Sequence, residues 1–365
     1  MRQNSILILL LILQISSFEV YSQKLKTENI IWITFDGLRW QELFGGADSL
    51  LINNGEYTHS KDQMIETFWA ESPEERRKML FPFMWEKFAS EGQLYGNRQY
   101  ENKVNVTNNM WFSYPGYNEI LSGYADDDRI NSNSKIWNPN HTVLEFVNNQ
   151  PQFKRKIAAF GSWDVFPYII NEERSGIPVN AGFEAAEGEN LTERELFLNQ
   201  LQFQTPGPWL GVRQDVWTHN YAVEHIKNHQ PRLVYIAYGE TDDWAHDGRY
   251  DAYLRSARQT DEFIQALYEL TQSMDQYRDK TTFIISTDHG RGTEPIDTWR
   301  SHGTQINNAD QIWIAVLGPD SKALGEVKTE GQLYQNQMAK TVATLLGLDY
   351  EGDKKVGKVI KTAIK

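Results

Sequence analysis

Short runs of apolar, β-branched and aromatic residues recur along the chain, separated by stretches in which apolar positions return every three or four residues. Ile30 to Phe35, Ile157 to Phe160, Leu233 to Tyr238, Phe283 to Ile285 and Ile312 to Leu317 predict strands. Helices are expected over Met79 to Ser90, around Glu119 to Leu121, and over Thr142 to Asn148, Tyr250 to Met274 and Leu333 to Leu346. In the Tyr250 segment, Tyr253, Leu254, Ala257, Phe263, Ile264, Leu267 and Leu270 make an apolar stripe suited to packing. This alternation predicts an α/β fold with a mostly parallel central sheet sandwiched between helices.

Between Ser162 and Gly211 the pattern loosens into glycine, proline and acidic residues mixed with Trp163, Phe166, Tyr168, Phe183 and Trp209. An irregular stretch of this length predicts an inserted cap over about 162–211, carried by one catalytic domain spanning 23–365. A peripheral subdomain that packs its aromatics internally is the alternative.

At the start, Arg2 precedes an apolar run from Ile6 to Leu13, and Val20-Tyr21-Ser22 offers a small-residue cleavage pattern before Gln23. The run is too short for a bilayer span, which needs roughly 20 residues. A signal peptide over 1–22 is expected, with export to the periplasm or beyond and no membrane span in the mature chain; the bland reading is a buried helix or an anchor. The absence of cysteine excludes a disulfide framework and a lipid-modified cysteine. The formal net charge of −13 survives removal of 1–22, because Arg2 and Glu19 leave together. Such a charge disfavours a stable nucleic-acid complex. An anionic substrate therefore needs a local positive site, which metal ions can supply. No pattern in the chain specifies an oligomeric state.

Three predicted strands run straight into acidic clusters. Ile30 to Phe35 leads to Asp36-Gly37, Leu233 to Tyr238 leads to Gly239-Glu240-Thr241-Asp242-Asp243-Trp244-Ala245-His246, and the strand around Ile285 leads to Asp288-His289-Gly290, with His302-Gly303 following. In open α/β sheets, ligands bind beyond the carboxyl ends of the strands, so the clusters are expected to converge. Mixed aspartate and histidine donors suit Zn²⁺ and comparable ions better than the all-oxygen sites of Ca²⁺ or Mg²⁺. Singly, each position is ordinary: an Asp-Gly after a strand is usually a turn, and a lone histidine is usually structural. Their joint arrangement points to metal.

Phe35-Asp36-Gly37, Ser113-Tyr114-Pro115-Gly116-Tyr117 with Ser122-Gly123, Asp242-x-x-x-His246, Ser286-Thr287-Asp288-His289-Gly290 and Ser301-His302-Gly303 occur in this order over roughly residues 30–305. The set resembles the alkaline phosphatase superfamily, in particular its nucleotide pyrophosphatase and phosphodiesterase branch. The resemblance implies two divalent ions of zinc type, one held by Asp36, Ser113, Asp288 and His289, the other by Asp242, His246 and His302. Asp243 is adjacent but lacks the family spacing to His246. The resemblance further implies a small-molecule phosphate ester as substrate, with Ser113 as nucleophile and a phosphoseryl intermediate between two in-line displacements. Two dications against Asp36, Asp242 and Asp288 leave one formal positive charge to attract it. Taken alone, Ser113 ahead of Pro115 also reads as a helix start. His59, His141, His219, His225 and His229 lie outside the motifs and are expected to be structural or exposed.

Several positions bear on substrate class. Tyr117 stands where the sulfatase modification motif requires arginine, which argues against a sulfatase. His246 is followed by Asp247-Gly248-Arg249-Tyr250 and not by the Gly-Pro pair usual in the pyrophosphatase branch, so a phosphomonoesterase remains the alternative. Arg249 is a candidate contact for a phosphate dianion, or an ordinary surface residue. Asn133 is a candidate for the phosphoryl oxygen, with Asn109 and Asn131 competing. Trp111, Phe112, Tyr114 and Tyr117 surround Ser113 without a lysine or arginine among them. If these aromatics face the site and not the core, they favour a stacking leaving group and thus phosphodiester or nucleotide pyrophosphate substrates. A non-catalytic exported binding protein would have lost the nucleophile or several ligands, yet all seven positions are filled.

Overall fold

The computed structural model describes residues 25–365, so the expected signal peptide lies outside the described residues. The strands are β1 Asn29–Phe35, β2 Gln93–Tyr95, β3 Asn102–Asn105, β4 Ile157–Gly161, β5 Val179–Ala181, β6 Leu233–Tyr238, β7 Thr281–Thr287, β8 Gln311–Ile312, β9 Ile314–Leu317, β10 Gly325–Glu326 and β11 Gly331–Tyr334. Eight of them form one sheet in the order β10-β2-β9-β7-β1-β6-β4-β5, and β11-β3-β8 form a small second sheet. In the large sheet only β9 runs against its neighbours.

Side chains alternate between the two faces of a strand, and here both faces are covered. Ile31, Ile33 and Phe35 of β1 join Val234, Ile236 and Tyr238 of β6 in one core, together with Tyr253, Leu254, Ala257, Ile264 and Leu267 of the helix Tyr250–Ser273. Ile30 and Trp32 join Leu233, Tyr235 and Ala237 in the other, beneath the helices Ser113–Ser122, Val143–Asn148 and Gln337–Leu345. The α/β sandwich expected from the pattern is the observed architecture.

Four segments differ from expectation, each for a local reason. The helix expected over Met79 to Ser90 is interrupted at its start: the helix Pro73–Leu80 ends first, a new helical stretch begins at Pro82, widens to a π-helix over Met84–Phe88 and runs on into Ala89–Glu91, and the Asp261 carboxylate accepts from the amides of Phe83 (2.8 Å) and Met84 (2.9 Å) at its beginning. Ile312 to Leu317 splits at the buried Trp313, so β8 serves the small sheet and β9 the large one. The helix expected from Leu333 starts only at Gln337, because β11 pairs with β3 first. Part of the expected 162–211 cap belongs to the body of the fold: β5 extends the sheet beside β4, and Phe166, Ile169 and Ile170 lie in the second core. Beyond these, the helix Glu193–Gln204 packs against the helix Asp215–His229. Among the described residues no helix is long and apolar enough to cross a membrane.

Candidate metal centre

The register sets the site. Phe35 lies level with Tyr238 of β6 on one side and Thr287 of β7 on the other, so the chain leaves all three strands at one height. Asp36, the helix Glu240–His246 and Asp288-His289 follow at that edge. Gly37 turns the chain away at φ 60, a conformation glycine adopts without strain. Its amide donates to Asp288 Oδ1 (3.0 Å), and Thr241 Oγ1 donates to the Asp36 carbonyl (2.6 Å), which ties the three strand ends together.

Ser113 is the first residue of the helix Ser113–Ser122, on a neighbouring element. A Cβ at Gly116 would lie 2.4 Å from the Asp288 carbonyl oxygen, so glycine there lets the first turn of the helix rest on the backbone of the metal strand. Ser113 Oγ caps nothing; it faces His289 Nε2 at 3.4 Å. The helix start is capped from outside by Asn133, whose Oδ1 accepts from the Tyr114 amide at 3.0 Å.

All seven expected ligand residues meet. His289 Nε2 is 3.3 Å from Asp36 Oδ1, 3.5 Å from Asp288 Oδ2 and 3.8 Å from Asp242 Oδ1. His302 Nε2 lies 3.5 Å from Asp242 Oδ1, His246 Nε2 lies 3.2 Å from Asp242 Oδ2, and the two Nε2 atoms are 2.9 Å apart. Two groups, Asp36-Asp288-His289 and Asp242-His289-His302, have donor atoms close enough to surround an ion. His289 Nδ1 lies 2.9 Å from the Gly290 carbonyl oxygen, the arrangement that leaves Nε2 as the free donor atom.

The electrostatics fit a cation. Burial, then the neighbouring Asp36 charge, raises the Asp288 carboxyl well above its ordinary range; burial and Asp242 raise Asp36. Asp36 Oδ1 and Asp288 Oδ2 are buried without a hydrogen-bond partner among the described residues. Burial works against protonation of His289, but the Asp288 and Asp36 charges outweigh it and push the ring up to about 9. Burial, with His289 second, holds His302 well below its usual range, as a neutral metal ligand requires. Carboxylates crowded in this way are stabilised by divalent ions, and the donor set is one that zinc-type ions accept.

The remaining expected site residues are distributed as follows. Asn133 stands at the start of the Ser113 helix, whereas Asn109 turns to Asp127 and Asn131 to the Asp128 carbonyl. Arg249 is not gathered into the cluster: its guanidinium makes a two-point pair with Asp251 (3.0 and 2.9 Å) and lies over Trp244. Tyr114 and Tyr117 are buried, which removes them from the expected aromatic wall; Tyr114 donates to the Ile136 carbonyl (2.6 Å) and Tyr117 to Asp36 Oδ2 (2.9 Å). Trp111 and Phe112 stay half-buried. The loop end of the former cap reaches the rim, where Trp209 Nε1 donates to Asp247 Oδ2 (3.0 Å) and packs on Trp244. A cavity of about 680 Å³ at the β5 edge, lined by Phe160, Glu172, Tyr221 and His225 among others, contains none of the seven residues.

Three supporting residues escape the motifs. Buried Gln335 donates to the carbonyls of Thr287 (3.1 Å) and Asp288 (2.6 Å) from the far side of β7. Asp215 accepts from Ser162 Oγ (2.6 Å) and the Gly239 amide (2.7 Å), fixing the start of the helix that carries Asp242 and His246. Arg291 grips Asp242 itself. Arg291 at least borders a motif, directly after Asp288-His289-Gly290; the other two carry no signal in sequence.

A doubly covered, mostly parallel sheet with aspartate and histidine clusters at its carboxyl edge defines the alkaline phosphatase-like class of fold. A family model described as the Metalloenzyme superfamily matches residues 214–350, a span that contains Asp242, His246, Asp288, His289 and His302, and it implies divalent metal ions. Among curated proteins no sequence matches the chain. Solved structures are similar in fold. Wild-type alkaline phosphatase PafA aligns with TM-score 0.58 at 11% identity, over 93% of this chain and 99% of that one. The lipoteichoic acid synthase LtaP from Listeria monocytogenes aligns with TM-score 0.52 at 13% identity, over 93% and 76%. A 2-O GAG sulfatase aligns with TM-score 0.54 at 12% identity, over 93% and 74%.

Proposed function

We propose that this protein is a metal-dependent hydrolase of phosphate esters that works through Ser113, with phosphodiester or nucleotide pyrophosphate substrates preferred. The observation that carries this reading is the approach of Ser113 Oγ to His289 Nε2 (3.4 Å), the histidine shared by the two groups of close donor atoms. Asp36, Ser113, Asp288 and His289 would hold one ion and Asp242, His246 and His302 the other. Bound there, zinc-type ions would lower the hydroxyl pKa of Ser113 and stabilise charge on the phosphoryl and departing oxygens.

The chain's own residues do the rest. Ser113 presents its hydroxyl from a helix N-terminus, where the dipole favours an anionic group. Asn133 has its oxygen committed to the Tyr114 amide, which leaves Nδ2 as its donor toward a phosphoryl oxygen. Tyr117 holds Asp36 in orientation through its hydroxyl. The Ser113 oxygen displaces the leaving group to form a phosphoserine ester, and water then attacks phosphorus and restores the hydroxyl.

Support for the diester preference comes from the pairing of cations near the site. Arg249 pairs with Asp251 and Arg291 with Asp242, while Arg300 donates to the His246 carbonyl (3.1 Å), so two of these three guanidiniums are already matched by a carboxylate. Half-buried Trp111 and Trp209 offer apolar surface for an ester group. The test is kcat/KM for an aryl phosphodiester, the matching monoester and an aryl sulfate on one zinc-loaded preparation, corrected for intrinsic reactivity. The diester should lead. A monoester preference of orders of magnitude would reassign the chain as a phosphomonoesterase, and a sulfate preference as a sulfatase.

The ligand assignment makes a separate prediction. His302→Ala should weaken the ion held by Asp242 and His246 by about 100-fold or more while sparing the other, because only one set loses a donor. Metal content after dialysis against graded chelator reads this directly, and equal retention of both ions would overturn the assignment.

A further inference from the structure

Arg291 is an arginine with 1% of its surface exposed, two residues beyond His289. Burial of a guanidinium is costly unless it is paired and hydrogen-bonded. Its Nε donates to the Gly37 carbonyl (3.1 Å), and its Nη2 donates to both the Asp242 carbonyl (3.0 Å) and Asp242 Oδ1. Nη1 has no hydrogen-bond partner among the described residues, so Gly37 and Asp242 supply all the polar contacts that hold the group. Those two residues belong to different halves of the site. Gly37 follows Asp36, an expected ligand of the first ion, and Asp242 is an expected ligand of the second.

The space between them is filled to contact. A Cβ at Gly37 would lie 2.9 Å from Arg291 Nε and 2.9 Å from Asp242 Oδ1, so the absence of a side chain there is what admits the guanidinium. The pair also divides the Asp242 carboxylate: Oδ1 takes the guanidinium, while Oδ2 faces His246 Nε2 at 3.2 Å. A planar fork that bonds a carboxylate and two carbonyls at once fixes orientation as well as charge, which a lysine ammonium does not.

We propose that Arg291 is a positioning residue that clamps Asp242 to the Gly37 turn and thereby sets the separation and geometry of the two ion sites. This rests on the bimetal reading above. It predicts a preferential loss at the second site, since that site's carboxylate loses its anchor, and it predicts that shape matters more than charge.

The test is chelator competition on the full chain, comparing wild type, Arg291→Met and Arg291→Lys, with zinc alone as the probe and the second site identified by its loss in His302→Ala. Arg291→Met should bind the first ion as wild type does and the second about 10–100-fold more weakly. Arg291→Lys should recover only part of the loss, because it restores the charge without the fork. Unchanged affinities would overturn the proposal. So would tighter binding of the second ion by Arg291→Met, which would mean that the guanidinium acts by repelling the ion. Wild type with one ion and Arg291→Met with two would mean that the arginine occupies the second position, again overturning it. Should Arg291→Met fail to fold, wild-type affinity at the second site in Arg291→Lys overturns the clamp by itself. A wild type that binds no zinc would remove the bimetal reading, a failure distinct from all of these.

Discussion

Ser113→Ala is expected to fold, to retain both ions and to lose turnover by at least about 10³-fold. The argument for a small structural effect is specific. Ser113 Oγ makes no capping bond, the helix start is held by Asn133 on the Tyr114 amide, and the position of the helix is set by Gly116 against Asp288. Removal of the hydroxyl therefore leaves the scaffold intact, with a change in stability within about 1 kcal/mol. The ion at Asp36, Asp288 and His289 loses one donor of four and should still bind. Activity depends on the missing oxygen alone. Mass spectrometry after an acid quench during turnover should find phosphate on the wild-type peptide containing Ser113. Label on another residue, or a Ser113→Ala variant with more than a tenth of wild-type turnover, would remove the serine from this role.

The largest expected loss of stability lies away from the ions, at Glu42. Its carboxylate is completely buried and forms an ion pair with Arg39, itself only 1% exposed. Arg39 Nε donates to Glu42 Oε2 (2.9 Å), and Tyr250 donates to Oε1 (3.0 Å). The Glu42 charge outweighs the burial of Arg39 and raises the pKa of its guanidinium, so the cation persists at any accessible pH. Glu42→Ala leaves that cation in the interior with its main partner gone, and should cost about 3–5 kcal/mol. Replacing both members with apolar residues of similar volume should recover most of the loss, since the uncompensated charge disappears with the arginine. Urea unfolding of the single and double variants separates the two effects. A single variant within about 1 kcal/mol of wild type would show that water or Asp48 takes over the guanidinium.

The sheet and the clustered aspartates and histidines were legible for the same physical reason. β1, β6 and β7 are buried on both faces, so each carries an apolar, β-branched or aromatic run, and soon after their ends come Asp36, Asp242 with His246, and Asp288 with His289. The short strands toward the ends of the sheet carry no such signal: β2, β5 and β10 are two or three residues long and owe their conformation to a neighbour. The supporting residues were hidden because their roles are tertiary. Gln335 is separated from the carbonyls it holds by 48 and 47 residues, and Asn133, whose capping of the Ser113 helix is likewise tertiary, lies 19 residues after the Tyr114 amide it accepts from. The aromatic neighbourhood of Ser113 divides between the two readings its sequence left open. Tyr114 and Tyr117, three residues apart on a helix buried along its whole length, point inward and their hydroxyls find partners there, while Trp111 and Phe112, which precede the helix, stay half-buried.

The close approach of Gly116 to the Asp288 carbonyl separates what stands at residue 113 from where it stands. Placement is decided by two backbones in contact, and the side chain three residues earlier takes no part in that contact. The site is thus a socket with a replaceable tip: threonine or cysteine at 113 would be delivered to the same spot beside His289, and variants of differing nucleophilicity can be compared without a change of address. Residue 116 has no such latitude, for even a methyl group there would lift the socket off the sheet.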